Sequence, residues 1–409
     1  MSLSRMVLVP PWISLILLAV LCSSPHLSHA QQKSITRPAV NLHGTFFLTQ
    51  EEGWAVGQLG KIFYTTDGGK SWQEQISKTN LLLTAVDFIG QNHGWIVGER
   101  GSILHTEDGG KTWKAQQSGV AYPLFDVDFI DQQNGWAVGN WGTILSTSDG
   151  GEHWQEQPLL TILQDRGQIE PAVFQDIIHP TTREVIAKKG QLLSRDQVSQ
   201  ILDLGITDAR IREDVVLNAI TFFDATHGWI AGEQGRVLRT EDGGQTWESF
   251  HVPRPPKQQG AKRDEELMSD EELEAFGVLA PLPSLYGIYF ISPRQGWAVG
   301  QEGAIVRTLD GGRQWEFQTS GVQEALYDIG VSGETGWIVG DRGVVLVSTN
   351  AGTQWSKQEL GLQYQLSWLR RLSITSGDHS FFVGADGLVL ASGKSAEQSV
   401  WVQPPNTRP

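Results

Sequence analysis

Residues 83–113 decide the fold. They read Leu83-Thr84-Ala85-Val86-Asp87-Phe88-Ile89, then Gly94-Trp95-Ile96-Val97-Gly98, then Gly101-Ser102-Ile103-Leu104-His105-Thr106. They close on Asp108-Gly109-Gly110-Lys111-Thr112-Trp113. The apolar runs alternate with period two and are bounded by Gly or Asx turn residues, as half-buried strands are. The Gly-Trp-x-x-Gly element recurs with its last glycine at Gly57, Gly98, Gly139, Gly232, Gly300 and Gly340, and Phe381-Phe382-Val383-Gly384 is a weaker seventh copy. Four short strands in a unit of roughly 40–45 residues is the pattern of a β-propeller blade. A single four-stranded sheet cannot cover both of its faces, so neighbouring units must stack. Seven copies predict an all-β, seven-bladed ring.

A second signature, Ser/Thr-x-Asp-x-Gly-x-Thr-Trp, follows the third strand of six of the units. It is centred on Asp67, Asp108, Asp149, Asp242 and Asp310, and on Asn350 in the sixth copy. This is the Asp-box hairpin. Its aspartate accepts backbone N–H groups inside a tight turn, its glycine takes positive φ and its Trp plugs the turn from beneath. Six boxes and six Gly-Trp elements use most of the 16 Trp in the chain, so the high Trp content is architectural. We read the box residues as structural rather than catalytic or calcium-binding.

The rest of the 409 residues bounds the function. With 31 Lys+Arg against 46 Asp+Glu, the formal charge is −15. That balance argues against nucleic acid or an anionic membrane surface as partner. One Cys excludes an internal disulfide framework and a Cys-based zinc site. The first 30 residues have three parts: Arg5, an apolar run over Ile13–Leu21, and Ser28-His29-Ala30 before Gln31. They read as a secretory signal peptide. A retained anchor and a lipoprotein processed at Cys22 are the other readings. Residues 31–409 are then an exported propeller in a periplasm, a thylakoid lumen or outside the cell, not an integral membrane protein once cleaved.

The repeat spacing is broken twice, predicting insertions at about 155–216 and 250–285 that are partly helical. Ser194-Arg195-Asp196-Gln197 and Ser269-Asp270-Glu271-Glu272 are capping boxes ahead of apolar residues at helical spacing. Pro253-Arg254-Pro255-Pro256 reads as an exposed linker, and Asp264-Glu265-Glu266 with Asp270-Glu271-Glu272 as an acidic run.

Strands lettered A to D from the axis outward must alternate in direction. The B–C turns and D–A connections therefore share one face, and the A–B turns and boxes share the other. Both insertions lie in D–A connections. They rise beside the B–C turns, whose residues vary while the framework does not. Loops on a rigid scaffold carry binding residues, and exposed Trp and Arg anchor interfaces. Arg100, Trp141, Arg236 and Arg342 are the candidates for partner binding.

No enzyme signature is present. Ten His are scattered without metal-ligand spacing, and no Gly-x-Ser-x-Gly, phosphate loop or His-Glu-x-x-His occurs. No catalytic residue, metal or cofactor is expected. A carbohydrate-active propeller with a carboxylate pair across one face stays open as the alternative.

The repeated Gly-Trp-x-Val-Gly-x-x-Gly-x-Ile-x-x-Thr-x-Asp-Gly-Gly-x-x-Trp, counted to seven, resembles the photosystem II stability/assembly factors, a branch of the Asp-box (BNR) propellers. The resemblance covers most of residues 42–403 outside the insertions. It implies a non-enzymatic assembly factor, taken here as a monomer, that holds subunits of a membrane-protein or envelope complex. It also implies an arginine-rich contact patch. Arg100, Arg236, Arg239, Arg307, Arg342, Arg370 and Arg371 fall in the matching segments.

Overall fold

The computed structural model describes residues 40–157, 159–163, 171–255, 282–360, 364, 366–375 and 379–392. Seven antiparallel sheets follow one another along the chain. Their innermost A strands are Leu42–Phe47, Leu83–Ile89, Leu124–Phe129, Leu217–Phe222, Leu285–Phe290, Leu326–Ser332 and Leu369–Ile374. Six sheets have four strands; in the second, the A strand is followed by His93–Gly98, Ile103–Thr106 and Lys114–Gln116. The seventh shows three among the described residues. Ser399–Val402 and Ser34-Ile35, the segments expected to complete it, lie outside the described residues. No helix among the described residues is long and apolar enough to cross a membrane.

The core sits between blades rather than within them. Seven clusters of buried side chains each combine residues of two neighbouring blades, and the last joins Leu42, Ala55 and Phe63 of blade 1 to Val383 and Val389 of blade 7. The ring is therefore closed. At the closing seam Phe47 donates its N–H to Ser373 Oγ at 2.9 Å and stacks on Phe381 at 3.6 Å between centroids.

The two repeated motifs meet across the seams from blade 1 to blade 6, which explains why they recur together. The Gly-Trp indole of one blade stacks on the Phe near the end of the next A strand: Trp54 on Phe88, Trp95 on Phe129, Trp136 on Phe222 and Trp229 on Phe290. The box Trp of that next blade meets the same Phe edge-on, as Trp113 meets Phe88. Stacked and T-shaped pairs are the favoured aromatic geometries. Four Gly-Trp indoles also donate across the seam to a box glycine carbonyl, Trp95 to Gly150, Trp136 to Gly243, Trp229 to Gly311 and Trp297 to Gly352.

The connection between blades 3 and 4 forms a small module with its own core, including Leu163, Val173, Leu193, Val198, Ile201 and Ile211. Its helix, Arg195–Asp203, starts at the Ser194 capping box, in which Ser194 and Gln197 exchange hydrogen bonds. The module also carries short strand pairs, Leu160–Ile162 with Arg210–Arg212 and Ile177–Ile178 with Val185–Ala187. Strands of two or three residues are too short for a periodicity signal. The helix and linker read into the second connection fall largely on residues 256–281, outside the described residues.

Candidate partner-binding face

The B–C turns are one device repeated seven times. Their central positions pair a non-glycine residue with a glycine, both at positive φ, as in Arg100 (φ 56) before Gly101 (φ 67). Leu59, Trp141, Gln234, Glu302, Arg342 and Asp386 take the place of Arg100 in the other blades. Positive φ at both central residues defines the type I′ hairpin turn, whose twist matches that of the flanking strands. The glycine is required: a Cβ on Gly101 would lie 2.2 Å from the Val120 carbonyl oxygen. Each turn is also tied to the residue preceding its own A strand, as in Glu99 N–H to Leu82 O and Asp341 N–H to Ala325 O. The backbone of this face is rigid and the same in every blade. Only the side chains differ.

The four candidates occupy different settings on it. Arg100 and Arg342 are exposed, and among the described residues neither forms an ion pair. Trp141 is half-buried. Its ring lies 6.4 Å from that of Tyr122, which Arg212 of the inserted module covers at 4.9 Å, and Arg212 also lies 5.9 Å from Phe174. Arg212 pairs with Glu156 and is 3% exposed. Trp141 thus ends an aromatic–cation ladder that seats the module on blade 3. Arg236 is half-buried and paired with Glu213 at 2.8 Å, so its charge is already answered within the chain. Of the arginines added by the resemblance, Arg239 is buried beside Glu241 and Glu248, and Arg307 lies over the Trp297 ring.

The inner strands line a channel. Over their first six residues five of them share one burial pattern, with the second and fifth residues half-buried and the others buried. The second residues, nearest the B–C face, are His43, Thr84, Phe125, Asn218, Tyr286, Tyr327 and Arg370. Arg370 lies 4.7 Å over the Tyr327 ring and makes no ion pair among the described residues. Tyr327 lies 5.7 Å from Tyr286, and His43 lies 5.2 Å from Trp368. Burial, reinforced by the charge of Arg370, lowers the His43 pKa to about 4, so His43 is neutral at pH 7. The mouth is an aromatic collar with one uncompensated cation.

Deeper in, Arg371 reaches across the axis from blade 7. It pairs with Asp126 of blade 3 at 2.8 Å, approaches Asp328 of blade 6 at 3.8 Å and donates to the Phe125 carbonyl at 3.3 Å. These carboxylates also bridge seams: Asp126 accepts from Ile220 N–H and Asp328 from Leu372 N–H. Asp87 accepts from Phe129 N–H and Asp128 from Phe222 N–H. Between blades 1 and 2, which no carboxylate bridges among the described residues, a glycine brings the inner strands together. A Cβ on Gly44 would lie 2.8 Å from Ala85 Cα. The four channel aspartates were not among the residues singled out from sequence. Their signal was present, as charged residues in the inner-strand alternation, but it does not say which blades face one another.

The boxes lie on the opposite face. Asp67, Asp108, Asp149, Asp242 and Asp310 each accept from the backbone N–H four residues on, as Asn350 does through Oδ1. Hydrogen bonds from the Thr246 hydroxyl and N–H hold the Asp242 pKa at about 2, and those from the His153 N–H and ring do the same for Asp149. Each carboxylate is committed to its own turn.

Seven repeats, a closed ring and one variable face define a seven-bladed BNR-repeat propeller. The family described as "Photosynthesis system II assembly factor YCF48" is matched over residues 28–120, 113–173 and 279–367, more than half of the chain, and the chain belongs to that family. Among solved structures, it is similar to YCF48 bound to D1 peptide (18% identity, TM-score 0.56, 87% of this chain and 93% of that one). It is similar to YCF48 from Cyanidioschyzon merolae (16%, 0.56, 87% and 97%). The GH74 xyloglucanase from Xanthomonas campestris also shares the fold (12%, 0.57, 90% and 55%). No curated protein sequence matches the chain.

Proposed function

We propose that this chain is an exported, non-enzymatic propeller that binds a segment of a membrane-protein subunit on its B–C face during assembly of a complex. The observation that carries the reading is the placement of three unanswered arginines, Arg100, Arg342 and Arg370, on or beside one rigid face of a chain that is otherwise strongly acidic. Family membership supports it, and so does the peptide in the structure of a relative. Aromatic rings beside Arg370 supply the desolvated surroundings in which a charge-assisted hydrogen bond is strong. The carbohydrate-active alternative draws on the shared fold of GH74 enzymes, but each channel carboxylate here already holds backbone N–H groups, and two also hold Arg371.

The test measures binding of the full chain to peptides from the exported termini and loops of membrane-protein subunits. Binding is expected to fall about ten-fold or more on Arg370→Ala, from the roughly 1.5–3 kcal/mol of a hydrogen bond to a charged group. Absence of binding to every peptide, together with turnover on a glycoside panel, refutes the proposal. Export is checked separately, by finding whether the N-terminal 30 residues are removed from the protein recovered beyond the inner membrane.

A further inference from the structure

The B–C face has a cavity of about 430 Å³ on blade 5. One wall is the blade's own B–C turn, from Gln301 to Ala304. Another is the run from Phe317 to Gln323, which leaves the outermost strand, Glu316–Gln318. Pro255 and Pro283, from the connection between blades 4 and 5, line it too. These walls are fixed. Ser320 Oγ donates to Val322 O at 3.2 Å and accepts from Val322 N–H at 3.4 Å, and a Cβ on Gly303 would lie 2.2 Å from that same carbonyl oxygen. Pro283 O accepts from Gly235 N–H at 2.9 Å. The Gln318 carboxamide is committed across the seam to blade 6, where it meets Gly352 O, Thr353 O and Trp355 Nε1.

The apolar lining is half-buried Phe317, exposed Pro255 and the buried Ala304, Val322 and Pro283. The one ionisable residue in the lining is Glu302, which is exposed and forms no ion pair among the described residues. We propose that this cavity receives a lysine or arginine side chain of the partner segment, with its methylenes against Phe317 and the prolines and its cation at Glu302. The inference rests on the reading of the B–C face as the partner-binding face and adds the chemistry of a second anchor. A purely apolar side chain would desolvate Glu302 without answering its charge, and an acidic one would meet it charge to charge. A basic side chain matches both parts of the cavity, because its stem covers apolar surface while its head stays in reach of water and a carboxylate. An arginine can also stack on the Phe317 ring. Glu302 holds in blade 5 the turn position that Arg342 holds in blade 6. Neighbouring turns on one rigid face therefore present opposite charges. A segment lying along both needs a basic residue over blade 5 and an acidic residue over blade 6, and the reverse order is repelled at both turns.

The test is 1H–15N NMR of the full chain titrated with Nα-acetyl-lysine methylamide and with its norleucine and glutamate analogues, each up to about 20 mM, since probes this small bind in the millimolar range. The lysine probe is expected to shift the amide signals of Gly303, Gly321 and Val322 saturably, and the glutamate probe to leave them in place. The norleucine probe, which lacks the ammonium, is expected to bind about two- to five-fold more weakly, the worth of an exposed ion pair. Glu302→Gln and raised salt are each expected to reduce that preference. The lysine and norleucine probes carry no carboxylate, so failure here leaves the binding of acidic peptides through Arg370 standing, and failure there leaves the cavity standing. Equal affinity for the lysine and norleucine probes on wild type, shifts confined to other parts of the chain, or no saturable shift up to about 20 mM would overturn the proposal.

Discussion

Replacing Arg371 with Met tests whether the ring is braced across its axis. The methionine keeps most of the side-chain volume and removes only the charge and its donors. The guanidinium is 15% exposed, and its partners Asp126 and Asp328 are 13% and 12% exposed, so solvent screens the cluster weakly. At an effective dielectric of about 20, contacts of 2.8 and 3.8 Å correspond to a gross attraction of about 6 and 4 kcal/mol. Most of that offsets desolvation of the three groups. Removing one member of a buried cluster strands the others, at a net cost of about 3–5 kcal/mol. In a domain of this size the loss amounts to a fall in Tm of roughly 5–10 °C. The assay is thermal unfolding at pH 7.5 and pH 5 for Arg371→Met, for Asp126→Asn with Asp328→Asn, and for the triple variant. The stranded carboxylates of Arg371→Met take up protons in acid, so its deficit should shrink at pH 5. The triple variant should be more stable than Arg371→Met alone. A deficit below about 1 kcal/mol, or strict additivity among the variants, refutes the brace.

Other perturbations read other parts of the frame. Asp242→Ala removes the hydrogen bonds from Thr246 and is expected to cost about 1–2 kcal/mol in urea unfolding at pH 7. Because the folded pKa of Asp242 is depressed to about 2, that contribution is present above about pH 4 and disappears as pH falls toward 2, so wild type and variant should converge at the acid end. Trp229→Phe keeps an aromatic ring against Phe290 but leaves the Gly311 carbonyl without its indole donor. A loss of about 1–3 kcal/mol in chemical denaturation is expected. Arg212→Ala removes the rung between Tyr122 and Phe174 and unpairs Glu156. Limited proteolysis should then cut within residues 157–216 while the blades stay resistant.

Most of the frame was legible because four successive seams ask for the same residues. From blade 1 to blade 5 a Phe is held between a Gly-Trp ring and a box Trp, and keeping all three makes the motifs repeat visibly, while Val331 and Ile374 take the Phe position in the last two blades. The helix Arg195–Asp203 was legible for a local reason, the reciprocal pair Ser194 and Gln197. What the sequence hid was long-range. Arg371 and Phe125 meet although they are 246 residues apart, and nothing local to either says that blade 7 looks across the axis at blade 3. Trp141 had the composition of an exposed anchor, yet Tyr122 and Arg212 come from segments whose folding over it no spacing rule describes. Arg236 likewise faces Glu213 only because the module's return to blade 4 brings that carboxylate to the end of its strand.

The seven non-glycine residues at positive φ in the B–C turns could be mistaken for a functional strain signature. Each left-handed residue costs about 1–2 kcal/mol, and strain of that kind often marks active sites. Here the conformation occurs in every blade, on Leu59 and Gln234 as well as on Arg100 and Arg342, and it follows from the two-residue turn that joins twisted strands. A feature common to all seven blades cannot distinguish the part of the ring proposed to bind a partner. What would distinguish it is departure from the repeat: an arginine where the other turns carry Leu, Trp, Gln, Glu or Asp, and at the channel mouth a cation above Tyr327 where the equivalent positions of other blades hold His, Thr, Phe, Asn or Tyr. The common backbone sets where those side chains stand, and their charge against an acidic chain sets what they attract.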